Sequence, residues 1–310
     1  MLLENNKISL TILQELQNSL PSTRILFSEP LVQYTTFRIG GPADCLVFPS
    51  SVQDVAVVLA FAKKHTIPVT LLGNGSNVLV LDGGIRGIVV KFDKDFSAIR
   101  HEGTKLIASA GALLKDVSLY AAGQGLAGFE FAVGIPGSIG GAVFMNAGAY
   151  ESDMSCVVDS VMAVSSIGEV RRFSREDLAF SYRHSVFQEN HYVVCEVEIN
   201  LQVGNEENIR QKMADLTLRR ETKQPVEMPS AGSTFKRPPG KFAGTLIDQA
   251  GLKGFQVGGA QVSEKHAGFV VNAGGATAQD VLDLIAKVQR RVEARFGILL
   301  QPEVRILGEK

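Results

Sequence analysis

Between Phe131 and Tyr150 the chain carries no charged residue, and Gly134, Gly137, Gly140, Gly141 and Gly148 stand in that run with Pro136 and Asn146. A segment of about 20 apolar residues is long enough to cross a bilayer. Its composition argues otherwise, because so many helix breakers would leave backbone groups unpaired in lipid. Glycine lets main-chain N–H groups approach a ligand closely and adopt positive φ, so the stretch from Gly134 to Glu151 reads as a binding loop running into a buried turn. Taken alone, a glycine-rich core turn fits as well.

A second loop shifts the balance toward a ligand. Leu71-Leu72-Gly73-Asn74-Gly75-Ser76-Asn77-Val78-Leu79-Val80 sets a tight Gly-x-Gly turn between two short apolar runs. Successive N–H groups in such a turn form an anion nest, for which a diphosphate is the natural guest. The third glycine of a dinucleotide fingerprint is missing at Val78, and no Gly-x-x-x-x-Gly-Lys-Ser/Thr occurs. A Rossmann nucleotide domain and a P-loop are both disfavoured.

At 310 residues, with 45% hydrophobic content, the chain is expected to form two or three domains. A net charge of −1 with scattered Lys and Arg leaves no basic stripe for nucleic acid, so anionic ligands must be met locally. Cys45, Cys156 and Cys195 form no Cys-x-x-Cys or Cys/His cluster and read as reduced, buried small hydrophobes. Met1–Lys7 shows no basic region followed by an apolar core, so a leader is not expected, and a cytoplasmic enzyme fits.

Helical spacing of Ile12, Leu13, Leu16 and Leu20 up to Pro21 predicts an N-terminal helix. Cys45–Phe48, a helix opened by Ser51 with Asp54 as a capping box, and Val69–Leu72 predict a strand-helix-strand unit that delivers the nest loop. Strands are predicted at Ile88–Phe92 and Leu106–Ala110, and a helix at Val117–Ala122. Val157 to Val203 alternates as strands broken at Gly168, Asn205–Lys212 is a polar helix, and Pro225–Pro239 is an ordered loop region. Ala243–Ala250 is a helix ended by Gly251. The strongest helix opens at Thr277 with Asp280, buries Val281, Leu284, Ile285, Val288 and Val292, and stops at Gly297.

The two glycine loops, together with Tyr34-Thr35-Thr36-Phe37-Arg38-Ile39-Gly40-Gly41-Pro42-Ala43, resemble the FAD-binding fold of the vanillyl-alcohol-oxidase or PCMH type. Ser181-Tyr182-Arg183-His184-Ser185, Ala231-Gly232-Ser233-Thr234-Phe235-Lys236-Arg237-Pro238 and Gln301-Pro302-Glu303-Val304-Arg305 narrow the resemblance to one family, UDP-N-acetylenolpyruvoylglucosamine reductase. The motifs run in order from about Thr35 to Leu307. Tyr182 and Ser233 are too close for the extra tyrosine-bearing lid, so the chain is similar to the shorter subtype. Arg237 replaces an Asn found in some members.

That resemblance implies an α+β flavoenzyme. FAD-binding subdomains would span 1–96, with 301–310 returning to the first, and 97–204. A substrate-binding α+β domain would span 205–300. The implied reaction carries hydride from NADPH through non-covalent FAD to UDP-N-acetylglucosamine enolpyruvate, giving UDP-N-acetylmuramate for peptidoglycan. FAD would lie on Gly73, Asn74, Gly75, Ser76 and Asn77 and on Gly134, Ile135, Pro136, Gly137, Ser138, Gly141, Ala142, Asn146, Ala147 and Gly148. Ser233 matches the proton donor, while Arg183 and Glu303 match the other catalytic positions. Tyr182, Lys236 and Arg237 are candidates for substrate contact. Read without the resemblance, Ser233 is a turn hydroxyl, Arg183 a surface arginine at a strand end, and Glu303 a solvated partner of Arg305. His184 and His266 lack a second ligand at metal spacing and read as local hydrogen bonders. Neither metal, nucleic acid nor membrane is implied. The rivals are another oxidase or dehydrogenase on the same flavin fold, and a non-catalytic FAD or nucleotide-sugar binding protein.

Overall fold

A computed structural model describes residues 8–310; Met1–Lys7, and with them the reading on a leader, lie outside the described residues. The chain divides into two compact units. The first takes in residues up to Phe27, Cys45–Asn74 and Gly87–Arg219; the second takes in Ser28–Asp44, Gly75–Arg86 and Arg220–Lys310. One crossing falls between Asn74 and Gly75, inside the nest loop.

In the first unit, α1 (Leu10–Ser19) ends before Pro21, and α2 (Val52–Lys64) buries Val55, Val58, Leu59 and Ala62 at helical spacing. Ser51 caps α2 by accepting the Asp54 N–H at 3.1 Å. The reciprocal half differs from the expected box: Asp54 accepts from the Ser50 N–H at 2.8 Å, one residue before the cap, which still satisfies an orphan donor. Strands Val69–Leu72 and Ile85–Lys91 pair in parallel, and the sheet order places Ile85–Lys91 between Val69–Leu72 and Pro42–Phe48. An antiparallel sheet follows in the order Val170–Ser174, Val158–Val164, Val193–Asn200, Lys105–Ser109, Ile99–Glu102. Its inward residues, among them Leu106, Ala108, Val161, Ala163, Cys195 and Val197, join the main core with α3 (Leu114–Gly123).

Three expectations need correction here. The glycine-rich stretch is not all loop, since Ile139–Met145 forms a helix, α4. A neighbour explains the glycine within it: a Cβ on Gly140 would lie 2.7 Å from the Ala110 Cβ, so the helix needs glycine to approach that closely. The polar helix α5 runs over Glu206–Lys223, beyond Lys212, because Ile209, Met213 and Leu216 bury one stripe of it against Ala122 and Val133. Cys156 is exposed, on a short surface turn after Asp153, whereas Cys45 and Cys195 are buried. Burial pushes the Cys195 thiol up to about 12.

In the second unit, Ser230–Ser233, Phe269–Asn272, Ala260–Val262 and Gln256–Val257 form an antiparallel sheet, so the predicted loop region Pro225–Pro239 contains a strand. Strand Arg305–Leu307 pairs in parallel with Val78–Val80. Helix α6 (Ala243–Gln249) and helix α7 (Ala278–Phe296) cover a core that holds Leu246, Ile247, Val281, Leu284, Ile285, Val288 and Val292. Gly297 ends α7 in the left-handed conformation at φ 66°.

The cap of α7 ties its stability to pH. The Thr277 side chain accepts the Asp280 N–H at 3.1 Å, while Asp280 accepts the N–H groups of Thr277 at 3.0 Å and Gly259 at 3.2 Å. The Thr277 N–H, foremost, holds the Asp280 carboxyl below its ordinary 3.8. A carboxylate bound better in the folded state stabilises above its unfolded pKa and loses that contribution as pH falls through the folded one. Asp280→Asn is expected to lower stability by about 1 kcal/mol at pH 7. In urea titrations the gap from the parent should close progressively below pH 3.8. A gap independent of pH would mean that charge plays no part in the cap.

Candidate functional site

Gly73 and Ser138 meet across the first unit. A Cβ on Gly73 would lie 2.4 Å from the Ser138 Oγ, and Asn74 Nδ2 donates to the Pro136 carbonyl at 2.6 Å, so the nest loop and the glycine-rich segment are one construction. Ser138 is 2% exposed, and its Oγ has no hydrogen-bond partner among the described residues. Leaving a buried hydroxyl unpaired costs about 1–3 kcal/mol, which a ligand acceptor at this position would recover. A cradle cleared of side chains beside an orphaned hydroxyl fits a phosphate-bearing cofactor.

The remaining candidates sort by what their groups already hold. Gly75, at φ 66°, is glycine because a Cβ would collide with the Tyr34 carbonyl oxygen. Asn77 Nδ2 donates to the Glu303 carbonyl at 3.4 Å, and the Asn77 carbonyl accepts the Arg305 N–H at 3.0 Å. Ser76 is half-buried beside them. Gly137 accepts the Leu114 N–H at 2.9 Å, and Ile135, after Gly134, donates to Ala132 at 3.0 Å. Pro136 and Gly141 are exposed, Ala142 is buried, and Ala147 closes α4 by donating to the Ala142 carbonyl at 2.8 Å. Gly148 faces Asp153, whose Cβ would lie 2.5 Å from an added Cβ. Asn146 caps α4 with φ 42°, and its amide donates to the Ser181 carbonyl at 3.0 Å and Asp153 Oδ2 at 3.3 Å while accepting from Ser155 N–H at 3.0 Å. Its side chain is thereby committed to the fold.

Arg183 sits in a tight turn closed by Ser181 and His184, whose N–H and carbonyl groups exchange bonds at 3.2 and 3.1 Å. The turn forces φ 56° on Arg183, a left-handed conformation costing an L-residue on the order of 1 kcal/mol. The guanidinium lies 5.2 Å from the ring centroid of exposed Tyr182. His184 pairs with Glu189 at 2.9 Å, and His266 accepts the Gly268 N–H at 3.0 Å, so both act locally. Burial lowers the His266 pKa. No group of three or more His, Cys, Asp or Glu able to hold a metal occurs among the described residues.

In the second unit the ladder from Ser230 to Ser233 carries an extra residue: Ser230 faces Val271 and Ser233 faces Phe269. Gly232 supplies the bulge at φ 74°, and exposed Ser233 follows it. Bulges re-aim side chains, often beside active sites. Immediately beyond, the Thr234 carbonyl accepts the Glu303 N–H at 2.8 Å and Lys236 N–H donates to Gln301 at 2.8 Å, so the Ser233 and Glu303 segments run side by side. Lys236 is exposed, and Arg237 lies over the Phe242 ring at 4.6 Å.

Sequence reasoning quoted Thr36 without giving it a role. Its hydroxyl donates to the Ser230 carbonyl at 2.6 Å, its N–H donates to Gly75 at 3.2 Å, and its carbonyl accepts the Ser230 N–H at 3.1 Å. It joins the nest loop to the strand of Ser233, and only its place in the Thr-Thr-Phe-Arg-Ile-Gly-Gly run pointed to it.

Two family models match the chain: an FAD binding domain over residues 43–174, and the C-terminal domain of UDP-N-acetylenolpyruvoylglucosamine reductase over 224–307. The UDP-N-acetylenolpyruvoylglucosamine reductase of Clostridium perfringens strain SM101 is 52% identical over 92% of this chain and 93% of its own. That of Caldanaerobacter subterraneus subsp. tengcongensis is 47% identical over 96% and 99%. The crystal structure of the Thermus caldophilus enzyme superposes with a TM-score of 0.79 at 35% identity, covering 92% of this chain and 98% of that one.

Gly141 separates a demand of the fold from a demand of the ligand. A Cβ there would meet only the Ser138 Oγ, at an ordinary 3.5 Å, so the fold does not need a glycine at this helical position. Gly141→Ala is expected to stabilise the ligand-free protein by roughly 0.5–1 kcal/mol and yet weaken retention of a phosphate-bearing cofactor. Gly140→Ala, by contrast, should destabilise by about 1–3 kcal/mol through overpacking. Thermal melts and cofactor release on dilution read the two effects, and unchanged retention in Gly141→Ala would remove that residue from the cofactor surface.

Proposed function

The chain belongs to the UDP-N-acetylenolpyruvoylglucosamine reductase family, and we propose on that footing how its own residues carry the reaction. The protein has the PCMH-type FAD-binding fold and is an FAD-dependent oxidoreductase that reduces UDP-N-acetylglucosamine enolpyruvate with NADPH, in peptidoglycan precursor synthesis. When bound, FAD would supply the hydride-transfer chemistry that links NADPH to the enolpyruvyl double bond.

The flavin diphosphate is assigned to the cradle of Gly73 and Ser138, with Asn74, Pro136, Gly137 and Gly141 around it. The orphaned Ser138 hydroxyl supports this reading. The other candidates, from Gly75 to Asn77 and from Gly134 to Gly148, are assigned to the flavin through their backbone. No histidine or cysteine occurs between Gly73 and Asn77 or between Gly134 and Gly148, so attachment is non-covalent. Residues 1–96 and 97–204 are assigned to flavin binding, with 301–310 returning to the first, and 205–300 to the substrate.

Ser233 gives a proton to the carbon bearing the carboxylate, opposite in sense to hydride arrival at the methylene carbon. A serine is a weak acid in water, and it serves when the carbon it protonates is more basic and cations stabilise the resulting alkoxide. The observation that supports this assignment is the glycine bulge immediately before Ser233, which holds exposed Ser233 opposite Phe269 and next to the Glu303 segment. Arg183 clamps the enolpyruvyl carboxylate and spreads enolate charge, and Glu303 polarises that carboxylate or relays the proton. Tyr182, Lys236 and Arg237 contact substrate. No described helix is long and apolar enough to cross a membrane. A cytoplasmic location, without nucleic-acid or membrane partners, suits a substrate that is a nucleotide sugar.

Anaerobic stopped-flow separates the half-reactions. In Ser233→Ala, bleaching of the flavin by NADPH should proceed near the normal rate, while recovery of colour with the enolpyruvyl substrate slows by ~10²-fold or more. Ser233→Cys should retain more than the alanine variant, because a thiol still donates. Equal slowing of both halves would make Ser233 a shaping residue, and slowing of neither would remove it from the chemistry.

A further inference from the structure

The Arg183 turn is fastened from outside itself. Gln188 Nε2 donates to the Arg183 carbonyl at 2.9 Å and to the Phe144 carbonyl at 2.9 Å, using both of its amide hydrogens. Phe144 lies in the last turn of α4, where carbonyls have no intrahelical partner, and the same oxygen accepts the hydroxyl of Ser185, which is fully buried, at 2.9 Å. Asn146, the cap of α4, holds the other side of the turn through the Ser181 carbonyl at 3.0 Å. The residue clamped between these anchors is the left-handed arginine, in a conformation that persists only where its surroundings impose it.

We propose that Gln188 is a positioning residue for Arg183, a bridge that fixes the strained turn to the end of α4 and so sets where the guanidinium points. The proposal rests on the assignment of Arg183 to the substrate carboxylate. With both amide hydrogens committed to main-chain carbonyls, Gln188 acts through the Arg183 carbonyl. Without the bridge the turn can relax toward negative φ, the guanidinium swings, and a geometric error near 1 Å at a charged clamp costs up to ~10²-fold in rate.

The test is a double-mutant cycle with the flavin-loaded enzyme. Gln188→Met keeps the side-chain length and removes both donors. Flavin content and NADPH bleaching should stay normal while reoxidation by the enolpyruvyl substrate slows ~10–10²-fold at saturating substrate, in kcat rather than KM. In an Arg183→Ala background the same change should add nothing. Native-state hydrogen exchange supplies a readout free of activity: the His184 amide, bonded to the Ser181 carbonyl at 3.1 Å, should lose protection in Gln188→Met. Multiplicative effects of the two changes, unchanged reoxidation in Gln188→Met, or unchanged His184 protection would each overturn the positioning role. If Arg183→Ala itself reoxidised normally, the assignment of Arg183 would fall first and the proposal with it. Should Gln188→Met not fold, Gln188→Glu, isosteric but with a carboxylate against both carbonyls, enters the same cycle under the same criteria.

Discussion

The first unit is organised by the absence of one side chain. Because Gly140 has no Cβ, α4 reaches the backbone beside Ala110 closely enough for Gly140 N–H to bond the Ala110 carbonyl at 3.0 Å and Ile139 N–H the Ala112 carbonyl at 2.8 Å. Those bonds fasten the first turn of α4 main chain to main chain, with no rotamer to slip between them. Seven residues of helix at 1.5 Å each then make a strut of about 10 Å. At its start stands the orphaned Ser138 hydroxyl, and at its end stand the Phe144 carbonyl and the Asn146 cap that hold the arginine turn. The Gly73–Ser138 cradle and the Arg183 turn are thus set at fixed separation by one short helix.

The second unit solves its positioning problem with strands. The bulge at Gly232 inserts one extra residue before exposed Ser233, while the pairing on either side, Ser230 with Val271 and Ser233 with Phe269, persists. Ser230 is held by Thr36 before the bulge, and Thr234 is held after it, its N–H on Gly268 at 2.8 Å and its hydroxyl accepting Val270 N–H at 2.9 Å. Thr36 carries the same restraint to Gly75, so the nest loop and the serine strand share one clasp.

How far the sequence could be read follows from the range of the forces involved. Helix α7 was legible in full, because its cap, its stripe from Val281 to Val292 and its terminal glycine are all written within one segment. The strand at Ser230–Ser233 was not: it exists through pairing with Phe269–Asn272, and two nearby prolines mask it locally. Helix α4 was hidden for a related reason, since Gly140, which discourages an isolated helix, is required here by Ala110, which lies 30 positions earlier in the chain. Exposed Cys156 was missed because small apolar character says nothing about which turn brings a residue to the surface. Of the candidate site, the two loops and the segments of Arg183, Ser233 and Glu303 were picked out from sequence patterns. Gln188 and Thr36 were not assigned roles, because a positioning residue is defined by a carbonyl that no sequence pattern displays.

Strain shows where the chain spends this positioning. Between Asn146 and His191, left-handed φ values fall on Asn146, Tyr150, Glu151, Ala179, Arg183 and His191, residues other than glycine. Asn tolerates that conformation through its short amide, while Tyr, Arg and Ala do not without external restraint. The restraints are present: the Tyr150 hydroxyl bonds the Leu216 carbonyl at 2.8 Å, Asn146 holds Ser181, and Gln188 holds Arg183. A turn that relaxed would have to be reordered each time a ligand engaged Arg183, and that reordering would subtract from the free energy of the contact. Keeping the turn strained and clamped moves the cost into folding, where it is met once, and leaves the turn preorganised.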